Sequence, residues 1–187
     1  MKTFFALFVF MILIVTTSFS QELKVGDKAP EFKAETDDGT TFDLKNHLGD
    51  KYIVVYFYPA AMTSGCTKEA CAYRDFKTQI NSANAMVVGV SGDSVDGLKL
   101  FKQANDLNFP LLSDEDGAIA KKFGVPVRDG GSITREVNGK EHELVRGVTA
   151  SRWTFIIDKN GKIAYRDTEV DVTDDPQKVL DFIKNNS

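Results

Sequence analysis

The feature that most constrains the fold is the run YIVVYFY, residues 52–58, which is β-branched or aromatic at every position. A strand with one solvent-exposed face would alternate apolar and polar residues, so this run predicts a central strand covered on both sides. A helix-like stretch from Ser64 to about Asn81 follows, and AMVVGVS at 85–91 predicts a second buried strand. Two buried strands around a helix predict an α/β fold in which a sheet lies between layers of helices.

The rest of the chain continues this alternation of strands and helices. Strands are predicted at 42–44 and 109–113, helices at 94–107, 117–124 and 174–186, and a β-hairpin at 153–167. The stretch 125–149 is polar and glycine-rich, which fits either a strand pair or a long loop. The hairpin adds antiparallel strands, so the predicted central sheet is mixed, and no linker divides the chain into two domains.

The first twenty residues, MKTFFALFVFMILIVTTSFS, differ in kind from the rest. One lysine precedes an apolar run from Phe4 to Val15, and Ser18 and Ser20 stand at −3 and −1 relative to a cut before Gln21. This layout predicts a cleavable signal peptide at 1–20. The alternative is a short membrane anchor, but the apolar run is about twelve residues long and a span needs about twenty. We therefore expect an exported protein, periplasmic or secreted, in a compartment where disulfides persist.

The expected mature chain, 21–187, has the length and composition of one globular domain. Hydrophobic residues make up 42% and charged residues 27% of the sequence, as in ordinary soluble proteins. The formal net charge of −4 gives no reason to expect nucleic acid or an anionic membrane surface as a partner. No second segment is long and apolar enough to cross a bilayer, so we expect no membrane span after cleavage.

Both cysteines of the chain, Cys66 and Cys71, lie in the predicted helix that starts at Ser64. In an intact helix their Cα atoms would be about 8.6 Å apart and their side chains about 140° apart around the axis. A disulfide needs Cα atoms closer than about 7 Å, so a permanent structural bridge does not fit this helix. Structural zinc needs about four ligands, and the two histidines, His47 and His142, are far away in sequence, so no metal site is expected. A thioredoxin-type redox motif has the spacing C-x-x-C, whereas residues 67–70 separate Cys66 from Cys71 in this chain.

Cys66 is expected in the first turn of the helix, just after the buried strand. Free backbone N–H groups and the helix dipole favour an anion there, which makes a reactive thiolate available. A thiolate that attacks a peroxide becomes a sulfenic acid, and a second thiol nearby can condense with it into a disulfide. Thr63 lies three residues earlier, where its hydroxyl could reach the sulfur or a bound oxygen, and Pro59 ends the strand. Sequential chemistry of this kind requires the first helical turn to open in each cycle.

Three segments carry a resemblance to a known family. Pro59-x3-Thr63-x2-Cys66 is similar to the active-site signature of the peroxiredoxins. GCTKEACAYRD, residues 65–75, resembles the Q-type subfamily, also called bacterioferritin comigratory protein-like, and SRWTFIID resembles the later strand with the family's active-site arginine, here Arg152. The resemblance covers nearly all of the chain after the predicted signal peptide. It implies a thioredoxin-like fold and the reduction of hydrogen peroxide or organic hydroperoxides without a metal or a bound cofactor.

The resemblance also implies a role for each residue that matches the family. Cys66 is the peroxidatic nucleophile, and Cys71 resolves its sulfenic acid through an intramolecular disulfide. Arg152 stabilises the thiolate and polarises the peroxide, Thr63 hydrogen-bonds a substrate oxygen, and Pro59 shields the site. A thioredoxin-like protein is the implied reductant and antioxidant defence the implied role, and we expect a monomer.

Several points stay open at the level of the sequence. The subfamily usually has a PKADTPGC-like segment, and this chain has PAAMTSGC, with Ala60, Met62 and Ser64 at the differing positions. Rate and substrate preference are therefore open, and export leaves the identity of the reductant open. Glu69 either orients an arginine in the site or is an exposed partner of the helix dipole. The alternative functions are a thiol–disulfide exchange protein of the same fold and a redox sensor that oxidises once and signals to a partner.

Overall fold

The computed structural model describes residues 23–186. The predicted signal peptide at 1–20 lies outside these residues. Within them the elements, in chain order, are β1 (Lys33–Thr36), β2 (Thr41–Asp43), a 3-10 helix (Leu44–His47), β3 (Tyr52–Phe57), α1 (Ser64–Ser82), β4 (Ala85–Ser91), α2 (Val95–Ala104), β5 (Leu111–Ser113), α3 (Ala118–Lys122), β6 (Val127–Val137), β7 (Lys140–Ala150), β8 (Trp153–Ile157), β9 (Ile163–Asp167) and α4 (Asp175–Asn185).

Seven of the strands form one mixed sheet in the order β2-β1-β5-β4-β3-β8-β9. β3 pairs in parallel with β4 on one side and antiparallel with β8 on the other, so it lies inside the sheet, away from both edges. All six of its residues are buried, as the unbroken apolar run predicted. The mixed sheet flanked by helices confirms the predicted fold class.

The sheet separates two hydrophobic cores. Tyr52, Val54 and Tyr56 of β3 pack on one face, together with Tyr58 and apolar residues of α1, α2 and α4. Ile53, Val55 and Phe57 pack on the other face with α3 and the N-terminal strands. Because side chains alternate along a strand, the register between β3 and β8 also decides which residues of β8 face α1.

The stretch 125–149, which the sequence left open, is a strand pair. β6 and β7 form a separate two-stranded antiparallel sheet, paired from Val127↔Ala150 to Val137↔Lys140. The long-loop interpretation is therefore wrong. Leu144 of β7 is buried in the core next to α2, and this contact fixes the hairpin against the rest of the fold.

Two details near the N-terminal strands differ from the sequence prediction. The strand predicted at 42–44 ends at Asp43, whose carboxylate accepts a hydrogen bond from the Lys45 amide and caps the 3-10 helix that starts at Leu44. β1 was not predicted, because its four residues, KAET, include only one that is apolar. Within 23–186, no helix has the length and apolar character needed to cross a membrane.

Candidate active site

The candidate active site lies where β3 ends and α1 begins. A short loop leads from β3 to Thr63, the N-cap of α1, which has an extended backbone with φ of −93°. Cys66 follows in the first turn of the helix, as the sequence predicted, and is only 2% exposed. The free N–H groups and the dipole of this turn favour negative charge on a group placed there.

Arg152 contacts the sulfur of Cys66. Its Nη2 donates a hydrogen bond to Sγ of Cys66 at 3.2 Å, and its side chain is 18% exposed. The contact across 86 positions of sequence follows from strand pairing, because Phe57 at the end of β3 is opposite Trp153 at the start of β8. Arg152, one residue before Trp153, is therefore beside the start of α1, where Cys66 lies. A guanidinium in this position stabilises a thiolate.

Glu69 lies one turn after Cys66 on the same face of α1, and its side chain is fully buried. Its Oε2 accepts a hydrogen bond from Nη1 of Arg152, so the guanidinium contacts Glu69 and Cys66 together. The interpretation of Glu69 as an exposed partner of the helix dipole is wrong. Burial raises the pKa of the Glu69 carboxyl to about 8, while the charge of Arg152 works in the opposite direction.

A second buried carboxyl group lies near Glu69 and Arg152. Asp175, in the first turn of α4, is fully buried, and its Oδ2 accepts hydrogen bonds from the Thr154 hydroxyl at 2.9 Å and from the Tyr73 hydroxyl. Burial raises the pKa of Asp175. Asp175, Thr154 and Tyr73 belong to α4, β8 and α1, so one carboxylate links the strand that follows Arg152 to the helix that carries Cys66. Sequence reasoning missed Asp175, because an acidic residue beside a proline at a helix start is usually an exposed cap.

The loop before α1 is fixed by its own hydrogen bonds. Thr63 donates from its hydroxyl to the carbonyl oxygen of Ala60 at 2.8 Å, and the amide of Ala61 donates to Oδ2 of Asp93 at 2.8 Å. Within the described residues no hydrogen bond joins Thr63 to the sulfur of Cys66. Pro59 is half-buried and opens this loop. The loop is thus ordered without any bond to the reacting sulfur.

Cys71 is on the same helix as Cys66 but on another face. Both thiols are free, and Cys71 is partly exposed. Because α1 is continuous from Ser64 to Ser82, helix geometry keeps the two Cα atoms at about 8.6 Å, beyond the reach of a disulfide. A bond between the two sulfurs therefore requires the first turn of α1 to unwind. Among residues 23–186, no group of three or more His, Cys, Asp or Glu side chains could hold a metal ion.

A thiol at a helix start beside a fixed guanidinium is suited to attack a small electrophile such as a peroxide. On a thioredoxin-like sheet, these features define the class of the thiol-dependent peroxidases. The chain belongs to the AhpC/TSA family, whose model matches residues 25–166.

Relatives and solved structures agree with this assignment. The chain is similar to peroxiredoxin Bcp of Bacillus subtilis, with 36% identity over 165 residues that cover 88% of this chain and 98% of that protein. Its fold is similar to that of peroxidoxin BcpB from Mycobacterium tuberculosis, with a TM-score of 0.74, 33% identity and coverage of 89% and 99%. A structure of the bacterioferritin comigratory protein of Xanthomonas campestris, described for its alkyl peroxide reduction activity, matches with a TM-score of 0.70, 27% identity and coverage of 88% and 97%.

Proposed function

We propose that this protein reduces hydrogen peroxide and organic hydroperoxides through a two-cysteine cycle, with Cys66 as the peroxidatic and Cys71 as the resolving cysteine. The observation that carries the proposal is the 3.2 Å contact between Nη2 of Arg152 and Sγ of Cys66. It pairs the nucleophile with a cation that stays charged at any relevant pH. The alkyl peroxide reduction described for the Xanthomonas campestris neighbour supports the substrate class.

In the first step the Cys66 thiolate attacks the terminal oxygen of the hydroperoxide. The S–O bond forms as the O–O bond breaks, and the leaving oxygen takes up a proton and departs as water or an alcohol. Sulfur is oxidised to the sulfenic acid and the peroxide is reduced. Negative charge grows on the leaving oxygen in the transition state, and fixed donors such as Arg152 lower the barrier by stabilising it.

In the second step the thiolate of Cys71 attacks the sulfur of the Cys66 sulfenic acid. The S–S bond forms, the S–O bond breaks, and the oxygen leaves as water after protonation. The first turn of α1 opens for this step, because the intact helix keeps the two sulfurs apart. A thioredoxin-like dithiol protein then reduces the disulfide and restores both thiols. Antioxidant defence is the role that this cycle serves.

The loop residues have supporting roles in the proposed cycle. Thr63 turns its hydroxyl from the Ala60 carbonyl, which it contacts at 2.8 Å, to a substrate oxygen. Pro59 shields the sulfur from bulk water at the opening of the loop. The proposal includes no metal and no bound cofactor.

The proposal extends to the compartment and the state of the protein. Residues 1–20 are a signal peptide, the mature domain is 21–187, and the protein acts as a monomer in the periplasm or outside the cell. The order of lysine, apolar run and small residues in the sequence supports export. Intact mass after expression with a secretion pathway tests cleavage before Gln21, and light scattering tests the monomer.

The alternative functions are a thiol–disulfide exchange protein and a redox sensor. The relatives do not favour them, since similar proteins such as those of Bacillus subtilis and Escherichia coli are named peroxiredoxins. An exchange protein would reduce protein disulfides and consume little peroxide. A sensor would react with peroxide and would not turn over with a dithiol reductant.

The decisive experiment compares two serine variants of the reduced mature protein with one equivalent of hydrogen peroxide. Wild type should consume the peroxide and lose both free thiols. Cys66→Ser should consume none, while Cys71→Ser should react once and hold a sulfenic acid that dimedone traps at Cys66. Peroxide consumption by Cys66→Ser at the wild-type rate would refute the assignment. Each variant is the control for the other, because both remove one thiol from the same helix.

A further inference from the structure

The hairpin of β6 and β7 carries a side chain that reaches the loop before α1. Arg135 donates from Nε to the carbonyl oxygen of Met62 at 3.1 Å. Its Nη1 donates to the carbonyl oxygen of Thr134 in its own strand at 2.9 Å, which fixes the plane of the guanidinium. Met62 directly precedes the N-cap Thr63 and lies four positions before Cys66. Arg135 therefore contacts the backbone on which the first turn of the helix is built.

Met62 has a backbone conformation that needs outside support. Its φ is +59°, in the left-handed region that residues with a side chain rarely adopt. Such a conformation persists only where the surroundings hold it. Its carbonyl is held by Arg135, and its Sδ is 3.7 Å from Nδ2 of Asn105, which also bonds the carbonyl of Phe101 at 3.0 Å. If these contacts are lost, Met62 can relax to an ordinary φ.

The hairpin is fixed strongly enough to act as a support. The amide of Gly147 in β7 bonds the carbonyl of Gly92 at 2.9 Å, and the amide of Ser94 bonds the carbonyl of Val145 at 3.1 Å. Leu144 is buried in the same core cluster as Cys66. These contacts join β7 to the segment between β4 and α2. The hairpin that carries Arg135 is therefore anchored to the fold, and the hydrogen bond from Arg135 restrains Met62.

We propose that Arg135 is a positioning residue that holds the loop before Cys66 closed and so sets how readily the first turn of α1 opens. The proposal rests on the proposed two-cysteine cycle for its functional meaning. Opening that turn displaces Met62 and Thr63, so it breaks the bond to Arg135 and releases the left-handed φ of Met62. The backbone strain favours opening and the Arg135 bond opposes it.

The balance between these two effects separates the two chemical steps. Peroxide attack occurs in the closed form, in which Arg152 contacts the sulfur of Cys66. Disulfide formation with Cys71 occurs in the open form. Removing the Arg135 side chain lowers the free energy of opening, which accelerates the second step and does not accelerate the first.

Hydrogen exchange of the reduced protein tests, without any peroxide chemistry, whether Arg135 holds the loop before Cys66 closed. In Arg135→Ala, amides in a peptide that covers residues 60–67 should exchange about threefold to tenfold faster, as expected for one lost hydrogen bond. Arg128→Ala is the matched control, because Arg128 is exposed on the same strand and its removal changes the net charge equally. Exchange that is unchanged in Arg135→Ala, or raised equally by both variants, overturns the proposal.

Stopped-flow fluorescence tests the effect on the cycle, with Trp153, the single tryptophan, as the probe. Arg135→Ala should form the disulfide about threefold to tenfold faster than Arg128→Ala, with sulfenic acid formation unchanged or slower. A disulfide step that is unchanged or slower than in the control overturns the proposal. The two proposals fail separately: a protein inert to peroxide refutes the peroxidase, while the exchange experiment still decides whether Arg135 holds the loop.

Discussion

Tyr73 lies on the same buried face of α1 as Cys66 and donates a hydrogen bond from its hydroxyl to Asp175 at the start of α4. Both groups are fully buried, and Oδ2 of Asp175 has one other donor, the hydroxyl of Thr154 at 2.9 Å. The other carboxylate oxygen, Oδ1, has no hydrogen-bond partner among the described residues. The packing of α4 against α1 therefore depends on few polar contacts around a costly buried group.

Tyr73→Phe should lower the free energy of unfolding by about 1 to 3 kcal/mol, because Asp175 stays buried and loses a donor. Urea unfolding of the reduced protein measures the change. Tyr165→Phe is the matched control, since the Tyr165 hydroxyl is 3.5 Å from Asp167 and the ring is only partly buried. The control should change stability by less than about 0.5 kcal/mol. Equal effects in both variants would show that the bond to Asp175 contributes little.

Arg152→Lys should slow sulfenic acid formation by about 100-fold, the effect of losing one donor at the reacting atoms. A lysine keeps the charge but cannot contact Glu69 and the Cys66 sulfur with two nitrogens of one planar group. Single-turnover kinetics with hydrogen peroxide give the rate constant. Arg166→Lys is the control, because Arg166 stacks on Trp153 at 4.5 Å, on the other side of the sheet. A rate constant for Arg152→Lys within about threefold of the control would contradict this role. A tenfold change in rate corresponds to about 1.4 kcal/mol of activation free energy, so a threefold change is less than about 1 kcal/mol.

Glu69→Gln should change how stability depends on pH. The pKa of Glu69 is raised from 4.5 to about 8 in the folded protein, mainly by burial. The folded state thus binds more protons than the unfolded state between these values, and its stability falls as the pH rises through this window. The variant lacks this titration. Relative to wild type it should therefore gain stability between pH 5 and pH 8, by up to a few kcal/mol.

The measurement is urea unfolding at several pH values under reducing conditions. Glu141→Gln is the control, because Glu141 is exposed at the tip of the hairpin and should leave the pH profile unchanged. Parallel profiles for wild type and Glu69→Gln would mean that Arg152 keeps the carboxyl ionised throughout. The ion pair would then outweigh the burial.

Gly89→Ala should destabilise the fold by about 1 to 3 kcal/mol, the cost of overpacking a filled core. A Cβ at residue 89 of β4 would lie 2.7 Å from the ring of Tyr56, and that ring is fully buried between its neighbours. Thermal unfolding measures the loss. At Gly131 in β6 the nearest atom to an added Cβ is Nη2 of Arg146 at 3.6 Å, so Gly131→Ala should be nearly neutral. A neutral Gly89→Ala would show that the Tyr56 ring can move.

Local patterns determined much of this protein. The run at Tyr52–Tyr58 predicted a buried central strand, and the spacing of Cys66 and Cys71 on a helix predicted that their sulfurs cannot join while the helix is intact. Both results follow from the fixed geometry of one element, for which neighbouring residues carry all the information. Arg152 was found through resemblance to a family, because no local pattern separates it from a surface arginine.

The tertiary structure decided what contacts the helix face that carries the thiol. Glu69 faces Arg152 because β8 pairs with β3 in one register, and Asp175 completes the network because α4 packs on α1. Arg135 contacts Met62, 73 positions away in the sequence, because the β6–β7 hairpin packs beside the loop before α1. The sequence alone left Glu69 open between two roles and gave no sign of Asp175 or Arg135. Helix periodicity tells which side of α1 is inward, whereas the partners on that side depend on pairings between distant segments.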